Sequence, residues 1–329
     1  MLAVIGYYEA WNARSDCHRT SPEDLPHTFE VQTMDAATPQ SLFEDFSSLK
    51  IANPDLKLFV SIGGWTFSDN NTYTQPIFGN IAKSSSNRQT FADKLVSFLD
   101  YYGFDGVDLD WEYPGAPDRG GQKEDTANYV LLVKTLREAF DKSRHDLGIT
   151  FTAPSSYWYL KWFDLQGMMK YCNWVNLMSY DLHGTWDSTN PIGSIVQGHT
   201  NLTEIKLAAE LFWRVKIPTH KISLGYGFYG RAFTLQDPSC TSPGCQFSGG
   251  AKPGVCTQTS GYLSYYEIQE ILAKNPGIKV IHDEKAAVKY FTWDNNQWIS
   301  YDDRDTFKQK VEWANGVGFS GSLIWASDL

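Results

Sequence analysis

The stretch that decides the fold is Phe104–Pro114, FDGVDLDWEYP, which reads as a strand with a carboxylate at every second position and a turn at its end. Successive side chains of a strand point to opposite faces, so Asp108, Asp110 and Glu112 share one face and apolar side chains occupy the other. In a barrel of parallel strands the acidic face would point into the lumen and the apolar face toward the covering helices. Glu112 would then lie at the C-terminal rim, where barrel enzymes place their active sites.

Outward from this strand, apolar runs of strand length alternate with helical patterns, as in a parallel sheet built of βα units. Helices are predicted from about Asn87 to Gly103 and from about Asp125 onward, because apolar residues recur there at helical spacing. The other strand candidates are Leu2–Tyr8, Leu56–Gly63, Gly148–Pro154, Trp174–Asp181, Lys221–Tyr229 and Gly321–Ala326. Together with Gly106–Tyr113 they predict an α/β fold, a (β/α)8 TIM barrel that is one strand short.

The shortfall lies between Cys17 and Leu56, where a second barrel strand should follow the first. That stretch offers only Phe29–Met34, FEVQTM, which alternates apolar and polar residues, whereas interior barrel strands usually read as continuous apolar runs. We predict that the second strand is deleted, leaving either a gapped barrel or a surrogate strand from Phe29–Met34. Backbone groups left unpaired and buried would cost about 1 kcal/mol or more each.

Between residues 234 and 299 the regular alternation of strand and helix patterns stops. A loop rich in Gly, Pro and Cys leads to a short helical pattern at Tyr265–Ala273 and to β-type runs at Lys279–His282 and Val288–Trp293. This interrupts the βα rhythm before the last helix and strand. The sequence therefore predicts one catalytic barrel over residues 1–329 that carries a small α+β insertion over residues 234–299.

Charge and composition exclude several functional classes. The 329 residues carry 28 Lys and Arg against 38 Asp and Glu, a formal charge of 28 − 38 = −10. Binding nucleic acid needs clustered Lys and Arg to neutralise phosphates, and the sequence has no such cluster. A membrane-spanning helix needs about 18 consecutive apolar residues, which do not occur either. We expect a globular monomer without nucleic-acid or membrane partners.

Cysteine usage bears on the compartment. Cys240, Cys245 and Cys256 crowd into one Gly/Pro/Ser-rich loop, as in disulfide-stapled extracellular loops. Met1–Tyr8 is apolar but lacks a basic leader and is too short for a signal peptide, so we interpret it as a buried strand. We expect a secreted protein whose leader is not present in this chain. Five reduced thiols in a cytosolic enzyme remain the alternative.

The line of carboxylates predicts acid chemistry. Three stacked carboxyl groups in a buried lumen cannot all ionise cheaply, since repulsion and desolvation raise the pKa of at least one. The outermost, Glu112, is the predicted proton donor near neutral pH, and Asp110 beside it could share that proton. Neither Asp105 nor Asp108 begins a calcium loop with glycine in the required place, although a solvated acidic strand stays an alternative. No His lies near in sequence, so we predict no metal and no cofactor.

Several motifs of this sequence together resemble those of one known enzyme family. DGVDLDWE at 105–112 resembles the DxxDxDxE signature of family 18 glycoside hydrolases, the chitinases and their relatives. The chain looks most similar to the fungal chitinases of the killer-toxin-like group, which YYEAWN at 7–12 and the Cys-containing loop at 237–251 resemble. Further matches to family motifs are SIGGW at 61–65, MSYD at 178–181, GFYGR at 227–231 and the floor tryptophan, Trp325.

The resemblance implies hydrolysis of β-1,4 bonds between N-acetylglucosamine units with retention of configuration. In this family the substrate's own acetamido oxygen attacks the anomeric carbon. Glu112 would protonate the leaving oxygen and later activate water. Asp110 would hold the acetamido N–H, Tyr180 would orient the acetamido oxygen, and Asp108 would complete the carboxylate relay. Asp181 would help to fix the distorted sugar.

Aromatic side chains fit the same substrate, because flat rings stack on the C–H faces of sugars. Aromatic residues make up 15% of the chain, including 12 Trp. We expect chitin or chito-oligosaccharides as partners. The residues that the resemblance and the strand ends place in the binding cleft are Tyr7, Trp65, Tyr113, Met178, Asp181, Tyr229, Arg231 and Trp325.

Two other functions stay open. A catalytically impaired chitin-binding or lectin-like relative could keep the motif, although such relatives commonly replace the acid Glu that is present here as Glu112. An endo-β-N-acetylglucosaminidase uses a similar motif, but usually without the α+β insertion. The sequence does not decide between endo and processive attack.

Overall fold

The structure is a computed structural model that describes residues 3–7, 31, 33, 39–327 and 329. No helix within these ranges is long and apolar enough to cross a membrane. The described strands are β1 (Ala3–Gly6), β2 (Phe59–Gly63), β3 (Gly106–Asp110), β4 (Gly148–Pro154), β5 (Trp174–Met178), β6 (Ile222–Gly227), β7 (Tyr229–Leu235), β8 (Phe247–Gly250), β9 (Tyr262–Ser264), β10 (Ile281–Asp283), β11 (Val288–Trp293), β12 (Gln297–Tyr301) and β13 (Gly321–Trp325). The described helices are α1 (Ser41–Ala52), α2 (Ile77–Lys83), α3 (Ser85–Tyr102), α4 (Asp125–Phe140), α5 (Tyr157–Leu160), α6 (Leu165–Met168), α7 (Leu202–Arg214), α8 (Tyr265–Lys274) and α9 (Arg304–Val317).

The first sheet is parallel throughout and follows the βα order of the sequence. Among the described strands its order is β1-β13-β6-β5-β4-β3-β2. All five residues of β3 are buried, and the strand pairs in register with β2 on one side and β4 on the other. The predicted α/β fold of TIM-barrel type, with an added sheet, is therefore confirmed.

The predicted gap lies between β1 and β2, the two ends of this sheet. Within the described part of the chain each of them pairs with a single parallel neighbour, β13 and β3 respectively. The surrogate strand predicted over Phe29–Met34 lies mostly outside the described residues, since only Val31 and Thr33 of it are described and neither is in a strand. Both the surrogate strand and the deletion stay predictions.

Local sequence sets the ends of the helices that cover the sheet. The Ser84 side chain caps the start of α3 by accepting a hydrogen bond from the Asn87 N–H, so the helix begins slightly before the predicted Asn87. It ends as predicted at Gly103, whose φ of 70° is left-handed. The apolar faces of α3 and α4 pack on the outward side chains of β3, forming a core that includes Leu95, Leu99, Leu132, Leu136, Val107 and Leu109.

A second, antiparallel sheet is inserted between β6 and α9. Its order is β10-β11-β12-β7-β8, and β9 pairs with β7. The predicted run Val288–Trp293 is β11, while the predicted strand Lys221–Tyr229 is wrong at its end, because β6 stops at Gly227 and Tyr229 opens β7. The sheet thus extends beyond residues 234–299 at both ends. A disulfide between Cys240 and Cys245 closes the loop between β7 and β8.

Candidate active site

The three carboxylates predicted to share a face lie in line along β3 and just past its end. Asp108, Asp110 and Glu112 are 3%, 5% and 7% exposed, so all three are buried. Placing three acidic groups in so little solvent is costly unless they are hydrogen-bonded or protonated. Their surroundings differ, and the differences assign a distinct protonation behaviour to each.

Asp108, the deepest, accepts hydrogen bonds from four side chains. The donors are the hydroxyls of Tyr7 at 2.5 Å, Thr150 at 2.6 Å and Ser61 at 3.0 Å, and the amide of Asn176 at 2.9 Å. Burial raises the pKa of Asp108, and these four donors oppose that rise. Because the donors come from β2, β4, β5 and the end of β1, the hydrogen bonds of Asp108 link four of the parallel strands to β3.

Asp110 is less well supported. Among the described residues only the Thr152 hydroxyl donates to its carboxylate. Burial raises the pKa of Asp110 well above its ordinary value, and the neighbouring Glu112 charge raises it further. With one donor where Asp108 has four, Asp110 is less constrained than Asp108 in its protonation and orientation.

Glu112 follows β3 at the sheet's C-terminal edge. Burial raises its pKa to about 7, and the charges of Asp181 and Asp69 act in the same direction. A hydrogen bond from Tyr113 and the positive charge of Arg119 oppose the rise. The group is therefore close to half protonated near neutral pH, which is the state that a residue serving first as acid and then as base requires.

A second cluster forms beside the carboxylate line, at the end of β5 and the start of β7. The Asp181 carboxylate accepts hydrogen bonds from the Tyr229 hydroxyl and from two guanidinium nitrogens of Arg231, all at 2.7 Å. Although burial alone would raise it, the Arg231 charge and a hydrogen bond from His199 hold the pKa of Asp181 well below its usual value. Asp181 is thus an ion-paired anion, and its partner is Arg231, one of the residues predicted to lie in the binding cleft.

Tyr180 lies between the two clusters. Its ring centre is 6.1 Å from that of Tyr229, and the charges of Asp110, Glu112 and Asp181 act on its hydroxyl after burial to raise its pKa. A Cβ on Gly225 would come within 2.9 Å of the Tyr180 ring, so the glycine makes room for it. The structure thus brings Tyr180, Asp110, Glu112 and Asp181 close to one another.

The remaining predicted binding residues differ in exposure. Trp65 is half exposed, whereas Tyr113 is buried with its ring stacked 4.3 Å from Tyr159. Tyr7 and Trp325 lie side by side with ring centres 5.4 Å apart. Met178, predicted to lie in the binding cleft, is the half-buried last residue of β5, and its carbonyl accepts a hydrogen bond from Ser155. Tyr229 is buried and faces Tyr262.

Sequence reasoning missed several residues that the fold brings to this site. The most tightly held is Arg119, which contacts the backbone of both Glu112 and Trp65. Asn176, Thr152 and His199 were missed because an isolated polar residue in an apolar strand or loop carries no recognisable motif. His183, two residues after Asp181, makes hydrogen bonds to Asp187 and Glu204.

Fold and site together define a class of protein. A family model for glycosyl hydrolases family 18 matches residues 3–329, so the chain belongs to glycoside hydrolase family 18 and the resemblance drawn from its motifs is confirmed. It is similar to the secreted chitinase LysM12 of Penicillium expansum, with 30% identity over 99% of this chain and 23% of that protein. It is also similar to the killer toxin subunits alpha/beta of Kluyveromyces lactis, with 32% identity over 93% of this chain and 26% of that protein.

Solved structures give the same result. The group IV chitinase of Ostrinia furnacalis superposes with a TM-score of 0.83 at 27% identity, covering 98% of this chain and 92% of that one. Human YKL-39, described as a pseudo-chitinase with retained chitooligosaccharide binding properties, superposes with a TM-score of 0.82 at 24% identity, over 100% of this chain and 93% of that one, a likeness that shows the fold alone. This chain spans about a quarter to a third of the length of its fungal LysM relatives.

Proposed function

We propose that this chain is a chitinase unit that hydrolyses β-1,4 bonds between N-acetylglucosamine residues with retention of configuration. The observation that carries the proposal is the placement of Glu112, buried at the C-terminal edge of the sheet with its pKa raised to about 7 and with Asp110 behind it on the same line. The family permits substrate assistance, in which one enzyme acid suffices.

In the first half of the reaction Glu112 would act in its protonated form. It would donate its proton to the oxygen of the leaving sugar while the substrate's acetamido oxygen attacks the anomeric carbon. Asp110 would accept the acetamido N–H, and its negative charge would stabilise the cationic ring that forms. The Tyr180 hydroxyl, which is kept protonated by burial and nearby carboxylates, would donate to the acetamido oxygen and align it.

In the second half Glu112 would act as a carboxylate and take a proton from the attacking water. Asp108 stays hydrogen-bonded to its four donors and supplies a fixed negative charge below Asp110. Together with an ionised Glu112, that charge raises the pKa of Asp110, so Asp110 would carry a proton while Glu112 is ionised and would lose it while Glu112 is protonated. In this proposal Asp110, with its single donor, takes up and releases the proton, whereas Asp108, with four donors, keeps its state throughout.

The sugar itself would be held by the aromatic and charged residues around the line. Trp65 offers an exposed ring at one side, and Trp325 with Tyr7 forms a floor next to Asp108. Arg231 and Tyr229 hold Asp181 as an anion that can accept from a sugar hydroxyl. Tyr113 and Met178 would contribute from the ends of β3 and β5.

The wider organisation is proposed on the same grounds. Residues 1–329 would form one catalytic unit, and the insertion over 234–299 would raise one wall of its cleft to suit a long polymer. The Cys240–Cys245 disulfide and the name of the secreted relative support an extracellular protein. We propose that the unit acts as a monomer on chitin or chito-oligosaccharides.

The test is release of chromophore from a chromogenic chitobioside by the wild type and by Glu112→Gln. We expect turnover by the wild type and a loss of at least about 1,000-fold in the variant, because the leaving oxygen then has no proton donor. Titration with chitotetraose, followed by calorimetry, controls for folding and binding. Equal rates for both proteins above a buffer blank would refute the role of Glu112.

The second candidate is a chitin-binding relative without turnover. It is favoured by one observation, that β1 and β2 are not joined by any strand within the described residues, since active-site geometry in a barrel depends on closed strands. Calorimetric binding of chitotetraose by a wild type that releases no product from it overnight would establish this alternative.

A further inference from the structure

Arg119 is a buried arginine, and each of its three guanidinium nitrogens has a polar partner. Its Nε donates to the backbone carbonyl of Glu112 at 2.9 Å, and a terminal nitrogen donates to the carbonyl of Trp65 at 2.7 Å. The other terminal nitrogen pairs with Asp69 at 2.7 Å. The guanidinium carbon lies 3.7 Å from the centre of the Trp65 ring, within cation–π range. The side chain is 7% exposed.

These contacts join two segments that the parallel sheet alone does not fix. Glu112 follows β3 and Trp65 follows β2, and both lie beyond the last paired residues of their strands, Gly63 and Asp110. A single rigid, planar group that hydrogen-bonds both carbonyls sets the distance between the acid and the exposed ring. Arg119 is itself held, because its own carbonyl accepts from Gln75.

We propose, on the basis of the proposed hydrolase function, that Arg119 is a positioning residue that fixes Glu112 and the Trp65 ring relative to each other. A sugar stacked on Trp65 then has its glycosidic oxygen at a set distance from the acid. Misplacement of a catalytic group by about 1 Å costs on the order of 100-fold in rate, which gives the scale of the effect.

The same ion pair places two opposite charges near the acid. The Arg119 charge lowers the pKa of Glu112, while the charge of its partner Asp69 raises it. Removing one or the other should therefore move the acid's titration in opposite directions. The titratable and charged groups that face Glu112 from the surrounding elements are Asp69, Asp110, Tyr113, Arg119, Tyr159, Tyr180 and Asp181.

The test compares Arg119→Gln, Arg119→Lys and Asp69→Asn by the pH dependence of kcat on the chromogenic chitobioside. Arg119→Gln should lose on the order of 10- to 100-fold in kcat, and the alkaline limb of its profile should move to higher pH. Asp69→Asn should move that limb to lower pH. Arg119→Lys keeps the charge, so the limb should stay in place while kcat falls. Arg144→Gln removes an exposed arginine far from these contacts and is the matched control.

Each outcome decides the inference separately from the function. Should Arg119→Gln and Arg119→Lys keep the kcat of Arg144→Gln while the wild type turns over, the positioning role is wrong. A limb that moves the same way in Arg119→Gln and Asp69→Asn would refute the opposed effects of the two charges on Glu112. If Arg119→Gln does not fold, the kcat of Arg119→Lys decides the positioning role. The alkaline limb of Asp69→Asn then decides whether the charge pair acts on Glu112. A wild type that does not exceed Glu112→Gln refutes the proposed hydrolase instead.

Discussion

Gly63 at the end of β2 offers a sharp test of how the carboxylate line is positioned. Its φ of +117° lies outside the regions that other residues adopt readily. A Cβ placed there would lie 2.1 Å from the backbone oxygen of Asp110 and 2.8 Å from the Phe78 ring. Gly64 next to it donates its N–H to the same Asp110 oxygen at 2.8 Å. A side chain at this position would therefore push β2 away from β3 at the level of Asp110.

The cost of Gly63→Ala follows from two contributions. Backbone strain at such a φ costs about 1–3 kcal/mol, and a contact far inside van der Waals distance adds about 1–3 kcal/mol through displaced backbone. The free energy of unfolding should fall by roughly 2–6 kcal/mol in total. Turnover should also fall under conditions where Gly63→Ala is still folded, because the displaced strand moves Asp110 away from Thr152 and Glu112.

The assay is urea unfolding followed by intrinsic fluorescence, together with turnover of a chromogenic chitobioside at a temperature where both variants are folded. Gly193→Ala is the matched control, since Gly193 also has a positive φ, 79°, but a Cβ there would meet nothing within 4 Å. That control should lose about 1–2 kcal/mol of stability and keep its activity. If Gly63→Ala and Gly193→Ala lose the same free energy of unfolding and the same activity, the close approach of β2 and β3 is not the reason for the losses in Gly63→Ala.

Three further results are expected. Hydrogen bonds to nearby carboxylates outweigh burial and raise the pKa of His183 to about 9, so the protonated imidazole stabilises the fold fully below its ordinary pKa of 6.5 and this contribution is lost as pH rises through 9. The melting temperature should therefore fall between pH 6.5 and 9. If His183→Gln shows the same fall of melting temperature with pH as the wild type, this explanation is wrong. Lys310→Met leaves the buried carboxylate of Asp302 without its partner and should cost about 3–5 kcal/mol in urea unfolding, with recovery in the double variant that also carries Asp302→Leu. Thr152→Val removes the hydroxyl donor to Asp110 and should lower kcat on the order of 10-fold with little change in KM; a change in KM alone would argue that Thr152 serves binding.

Much of the fold follows from patterns that the sequence displays directly. The alternation of carboxylates and apolar residues in β3 places the acidic line, and Gly103 ends α3 where a left-handed residue is required. The single predicted strand over Lys221–Tyr229 failed because Gly225 and Gly227 both interrupt the run, and neither shows by itself that the chain leaves the parallel sheet for the antiparallel one at Phe228. Hydrophobic periodicity reports burial and does not report which sheet a residue joins.

The site was harder to predict than the fold. Motif residues such as Glu112 and Asp181 could be named because their spacing is distinctive, and Arg231 could be assigned to the binding cleft from its motif. Arg119 could not, because two of its partners are backbone carbonyls, one of them 54 residues away, and a carbonyl is present at every position. Side chains that act through backbone contacts leave no pattern of residue types.

The four hydrogen bonds to Asp108 also decide which experiments on this protein can be interpreted. Every donor belongs to a different part of the barrel wall, so replacing this aspartate would disturb the barrel and the reaction together. Lost turnover in such a variant would say nothing specific about proton transfer. Any redesign of the proposed catalytic centre should therefore leave Asp108 unchanged and begin at Asp110, whose carboxylate has a single hydroxyl donor, that of Thr152, among the described residues.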